Sequence, residues 1–326
     1  MKVESSRATL MRQSPDMVAE SDTNFVNDIQ DALMQDSHVG KSPEDQFYSC
    51  TSVQNFVTPL TRAVDEMRGP KTVIVMRHGE RVDDLFPKWI ERSQPVTLDP
   101  LTRPLNEYLE DTPLTQMGNV LAQLVGRGLY INGRRPDSIY CSPALRCVKT
   151  AAIVANSAKA SCKLNIEAGL FENNNLYPHL HPKWVSRNEF LNAGFNVDME
   201  YKSFYTQEQI WSRDEIASSY NQRMYATLDH IFKRESTLNP NGTIAAHAST
   251  VDVVSGFLSV PRRQLFDKDL FNVGDRVPYC CTAVFRRKKA LNTAPYGVWK
   301  YEEDHSVPVT YQNFSSQVNT RFILRK

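Results

Sequence analysis

Apolar and polar positions change their rhythm near residue 70. Upstream, one patch has helical spacing: Phe25, Ile29, Ala32 and Leu33 fall at i, i+4, i+7 and i+8, after Asp22 and Thr23 as candidate N-caps. This predicts a short amphipathic helix inside a segment, residues 1–70, that otherwise lacks periodicity and is expected to be mostly disordered. From Lys71 onward, strand-like and helix-like stretches alternate. KTVIVM (71–76) reads as a buried parallel strand. Thr115 then caps a stripe of Met117, Val120, Leu121, Leu124 and Val125, and DSIYC (137–141) reads as a second strand. Ser142 and Pro143 have N-cap and N1 chemistry for a helix over 143–158, with Leu145, Val148, Ala152 and Ala155 inward. A helix over about 214–235 is expected to bury Ile216, Tyr220, Met224, Leu228 and Ile231. TIAA (243–246), a helix around 249–258, and strands over 278–287 and 296–302 complete the pattern. The alternation predicts an α/β fold, a three-layer α/β/α sandwich around a mostly parallel sheet, as one domain over 71–326.

Composition narrows the class. The 326 residues are 41% hydrophobic and carry a formal charge of +1, which speaks against a general nucleic-acid binder. Charge is uneven: residues 1–70 hold 6 Lys+Arg against 11 Asp+Glu, net −5, and the remainder 32 against 26, net +6. With no apolar run of membrane length and no signal-peptide pattern at the start, the expected location is cytoplasmic, without a membrane partner. Six scattered cysteines (50, 141, 147, 162, 280 and 281) show no paired spacing and are expected as reduced thiols. The sequons at Asn241 and Asn313 are then accidental.

In open α/β sheets, ligands bind beyond the carboxyl ends of the strands. Three predicted strand ends carry related groups here: Arg77-His78-Gly79-Glu80-Arg81 after the first, Arg146 one turn beyond the second, and His247 after TIAA. Guanidinium forks match phosphate oxygens, and a neutral imidazole is a competent nucleophile, so the set suits a phosphoryl group. His179 and His181 form an HxH pair without a readable third ligand and are assigned to a loop, not a metal site. Phe86, Trp89, Phe171 and Tyr177 lie near the motifs and are read as core more than pocket wall.

RHGER at 77–81, SPALRCVKTA at 142–151, GLFE at 169–172, AHAST at 246–250 and VPYCC at 277–281 resemble the histidine phosphatase (phosphoglycerate-mutase-like) superfamily. Within it they are most similar to the phosphatase domain of the suppressor of T-cell receptor signalling and ecdysteroid-phosphate phosphatase proteins. The resemblance runs from about residue 71 to the end. It implies that His78 is a nucleophile forming a phosphohistidine, that Arg77, Arg81, Arg146 and His247 hold the phosphate oxygens, and that Glu172 donates a proton to the leaving group. No cofactor or metal is implied. The expected substrates are phosphotyrosine-like or other bulky organic phosphates, borne by a small molecule or a phosphoprotein. Alternatives are a mutase or sugar bisphosphatase, and an inactive domain that binds a phosphorylated partner. A homodimer is left open. The ubiquitin-associated and Src-homology-3 domains of those relatives do not fit in the first 70 residues, and the stretch after Glu172, NNNLYPHLHPKW, departs from the tryptophan-rich run of vertebrate members.

Overall fold

The computed structural model describes residues 70–326, apart from 91–100, 102, 178–180, 213, 236–240, 271, 292–293, 306, 312–313 and 326. The amphipathic patch at 25–33, the expected disorder of residues 1–70, Cys50, His179 and Asn313 lie outside the described residues.

Six strands form one sheet in the order β3-β2-β4-β1-β5-β6. They are β1 (Thr72–Arg77), β2 (Ser138–Cys141), β3 (Leu164–Ile166), β4 (Asn241–Ala246), β5 (Thr282–Leu291) and β6 (Ala294–Tyr301). The first four are mutually parallel; β5 runs antiparallel to β1, and β6 to β5. Strand alternation sorts the core into two layers. Val73, Val75, Ile244 and Ala246 face helices α3 (Ala217–Arg234) and α4 (Ala248–Leu258). Ile74, Met76, Ile139 and Cys141 face helices α1 (Gln116–Ile131) and α2 (Leu145–Ser157). Two helix layers over a mostly parallel sheet are the expected sandwich.

Local chemistry explains where the elements begin. Thr115 caps α1 by accepting the Gly118 N–H. Ser142 does not cap α2, which starts at Leu145. Its hydroxyl lies 2.8 Å from His247 Nε2, and Asp111 instead accepts the Leu145 N–H at 2.8 Å. Ile216 is 61% exposed, not buried, because α3 begins after it and Asp267 takes the Ala217 N–H. The strand expected from residue 278 starts only at Thr282. Pro278–Cys281 is a turn, closed by the Cys281 N–H on Pro278 O, with Cys280 in the left-handed region at φ 54°. Cys141, Cys147, Cys162, Cys280 and Cys281 are all free thiols. Among the described residues no helix is long and apolar enough to cross a membrane.

Candidate active site

His78 leaves the end of β1 with its backbone held on both sides. Its N–H donates to Ala246 O at 2.8 Å, and its carbonyl accepts from Cys280 N–H at 3.1 Å. The ring is buried, and Nδ1 lies 2.8 Å from Gly79 O. A carbonyl only accepts, so this bond puts the ring proton on Nδ1 and leaves the lone pair on Nε2. Burial, together with Arg146 and Arg77, pushes the imidazole well below its ordinary pKa, so it is neutral. The next residue fixes the loop: the Gly79 N–H donates to Thr150 Oγ1 on α2 at 2.9 Å. Glycine is required there, since a Cβ at 79 would lie 2.7 Å from Gly118 O. Gly118 is constrained likewise, since its Cβ would lie 2.6 Å from Glu80 O, in the residue after Gly79.

The arginines sit in different ways. Arg146, in the first turn of α2, is completely buried. Its Nη2 donates to Glu172 Oε1 and, at 2.9 Å, to the Tyr177 hydroxyl. Its Nε and Nη1 are buried without a hydrogen-bond partner. Arg77 donates from Nη1 to Gly274 O and Val277 O at 2.9 and 2.7 Å, and lies 3.9 Å over the Tyr279 ring, while its buried Nε has no partner. Arg81 is in the field of Arg146 and Glu172 but bonds Asp83 through Nε and Nη2.

His247 links the end of β4 to α4, with its ring centroid 5.6 Å from that of His78, nearly edge-on. Ser142 Oγ holds Nε2, and Nδ1 lies 3.5 Å from both Arg146 Nη2 and Glu172 Oε2. Burial, outweighing the pull of Glu172, drops this imidazole to about 3. Glu172 follows a 3-10 turn (Ala168–Leu170) whose carbonyl ladder is gripped from below. Arg223 of α3, paired with Glu215, donates to the carbonyls of Gly169, Phe171 and Glu172. Burial opposes ionisation of Glu172, but His247, Arg146, Arg81 and the Tyr177 hydroxyl overcome it and hold the carboxyl at about 2.

The six residues expected to bind phosphate or act in catalysis, Arg77, His78, Arg81, Arg146, Glu172 and His247, are therefore in one cluster, Arg81 at its edge and tied to Asp83. Tyr177, read as core, does bury its ring, but its hydroxyl bonds Glu172 and Arg146. Ser142, read as an N-cap, instead supports His247. Sequence reasoning assigned no role to Thr150, Arg223 or Tyr279, which also bonds Asp84. For Tyr177 a signal existed: a buried phenol needs a partner for its hydroxyl. Phe171 and Trp89 are core as expected, whereas Phe86 is 40% exposed. His181 stacks on Trp211, and among the described residues no group of three or more His, Cys, Asp or Glu is set to hold a metal ion.

An ecdysteroid-phosphate phosphatase of Drosophila melanogaster is 31% identical over 258 residues, 74% of this chain and 33% of that protein. The ubiquitin-associated and SH3 domain-containing protein B of Mus musculus is 27% identical over 281 residues, 78% of this chain and 43% of that protein. The chain thus spans between a third and somewhat over two fifths of these curated relatives. The crystal structure of the ecdysone phosphate phosphatase of Bombyx mori in complex with tungstate superposes with a TM-score of 0.58 at 27% identity, covering 78% of this chain and 99% of that one. The model of the histidine phosphatase superfamily (branch 1) matches residues 73–273, and the chain belongs to that superfamily.

Proposed function

We propose that this domain hydrolyses phosphate monoesters in two steps through a phosphohistidine at His78. The observation that carries the reading is Arg146: a fully buried guanidinium whose Nε and Nη1 lack partners, beside a neutral histidine. Buried donors without acceptors are costly, and a phosphoryl group supplies the oxygens that Nε and Nη1 lack. In the first step His78 Nε2 attacks phosphorus. The bond to the leaving oxygen breaks with its electron pair on that oxygen, which takes a proton from Glu172. In the second, water attacks phosphorus, the P–N bond breaks with its pair returning to Nε2, and Glu172 receives the proton of the water. Arg146 and Arg77, with Arg81 at the edge, neutralise the equatorial oxygens, and the neutral His247 imidazole adds a hydrogen bond rather than charge.

Because Glu172 is ionised in the free site, its first proton has to arrive with the substrate. A monoester monoanion, abundant below about pH 6, carries one. Its transfer to Glu172 leaves a dianion, which offsets the cations that otherwise hold the carboxyl down. Tyr279 over Arg77, with Leu85 and Phe86 exposed in the turn after Arg81, supports bulky organic groups, aryl ones included. So do relatives whose names specify ecdysteroid phosphate. A phosphorylated small molecule and a phosphoprotein both fit this class.

Trapping tests the reading. Acid-labile phosphate from labelled substrate should appear on the wild type and be absent from His78→Ala, with turnover lowered more than about a thousandfold. A label surviving in a folded His78→Ala protein places the nucleophile elsewhere.

A further inference from the structure

Tyr177 lies outside the short motifs at 77–81, 142–151, 169–172, 246–250 and 277–281, yet its hydroxyl is inside the cluster. It donates to Glu172 Oε1 at 2.6 Å and accepts from Arg146 Nη2 at 2.9 Å. Arg146 Nη2 also donates to that same Oε1. One carboxylate oxygen therefore receives two donors, whereas Oε2 faces His247 Nδ1 at 3.5 Å. The phenol is held in place by its ring, 7% exposed and packed at 5.4 Å from Phe171 and 6.3 Å from Trp211.

We infer that Tyr177 is a positioning residue that confines the exchangeable proton of Glu172 to Oε2, the oxygen on the His247 side. The reasoning is one of donor and acceptor capacity. With Tyr177 and Arg146 both donating to Oε1, a hydrogen on that oxygen would meet two others, so a protonated Glu172 carries its hydrogen on Oε2. Arg146 alone could do part of this, but the same guanidinium presents Nε and Nη1 for the phosphoryl group and shifts with it. Tyr177 is uncharged, anchored by the aromatic block, and keeps its bond while charge moves. Removing its hydroxyl lets the carboxyl turn and carry its proton on either oxygen, half the time directed away from the leaving group.

The inference rests on the reading of Glu172 as proton donor, and the experiment separates the two. Tyr177→Phe, Glu172→Gln and the double variant are assayed on an alkyl phosphate and on p-nitrophenyl phosphate, whose good leaving group needs little proton help. Tyr177→Phe should lower kcat for the alkyl ester by about tenfold and for the aryl ester by less than about threefold, with KM moved less than about twofold. Added to Glu172→Gln, it should cost less than about twofold more, because its partner is already gone. Equal losses on both esters with a raised KM would mean that Tyr177 serves phosphate binding through Arg146, and the inference falls. It falls also if the losses of the single variants multiply in the double. Equal losses in Glu172→Gln alone would remove the donor reading, and with it the proton that Tyr177 is inferred to place. Should Tyr177→Phe fail to fold, 3-fluorotyrosine at 177 keeps the ring and strengthens the donor. The alkyl-to-aryl rate ratio should then change by about twofold or more, and an unchanged ratio overturns the inference.

Discussion

Glu172 touches Arg146, Tyr177 and His247 at once, so its charge depends on what else occupies the cluster. Held at about 2 in the free site, it is a carboxylate across the working range. Two outcomes follow at this scale. Glu172→Gln should slow an alkyl phosphate by a larger factor than p-nitrophenyl phosphate, out of general-acid assistance of about 10²–10⁴, as read from kcat ratios. Equal factors would leave it an ion-pair partner of Arg146. The pH profile carries the second: if the proton comes with the substrate, kcat/KM for an alkyl ester should fall as pH rises above about 6, where the monoanion disappears. A profile level to pH 7.5 would contradict that source. Arg77, His78, Arg146 and His247 were legible in the sequence because each lies at a strand end or within one turn past it, a position that a run of β-branched and small residues announces. That the Tyr177 hydroxyl would need a partner was legible, but not that the partners are Glu172 and Arg146, since this depends on how the chain after Glu172 folds back, and nothing periodic encodes that return.

Elements were legible in proportion to their length and caps. Thr115 and sixteen residues of helical pattern gave α1 its start. The three-residue β3 offers too few positions to show a period. The start of α2 was misplaced because Ser142 is engaged by His247, a long-range contact that outcompetes local capping. The two helices meet closely at Gly126, where a Cβ would come within 2.7 Å of both Val154 O and Ser157 Cβ. Gly126→Ala is therefore expected to cost about 1–3 kcal/mol of stability by forcing α1 from α2. Activity should be preserved at permissive temperature, since residue 126 is about three turns from the Thr115 end. Urea denaturation against steady-state turnover checks this; an unchanged midpoint would show that the helices part freely.

Across the molecule, buried neutral imidazoles link folding to acidity. An unfolded histidine takes a proton below about pH 6.5, whereas His247 in the fold does so only near 3. Stability from His247 is thus complete above pH 6.5 and is lost as pH falls, at about 1.4 kcal/mol per unit. His78, also depressed, acts in the same direction. Glu172 adds a loss at lower pH, between its unfolded value of about 4.3 and its folded value. Urea midpoints should accordingly be lower at pH 5.0 than at 7.5, and equal midpoints would mean that these rings are not buried neutral. The substrate chemistry argued above favours the acid side, so activity and stability pull the working pH in opposite directions. The layered, mostly parallel architecture was legible throughout, because strand-helix alternation is a property of the whole chain and survives errors at single boundaries.

The contact between Gly79 and Gly118 also bears on how this pocket can evolve. A Cβ at 79 would strike Gly118 O and one at 118 would strike Glu80 O, backbone in both cases, so neither position admits a side chain unless the backbone shifts. New substrate preferences have to be explored at Leu85, Phe86 and Tyr279, where side chains retain exposure. Saturation libraries should return inactive clones at 79 and 118 and a spread of altered selectivities at the rim. The specificity of this domain is free to drift while its chemistry stays fixed.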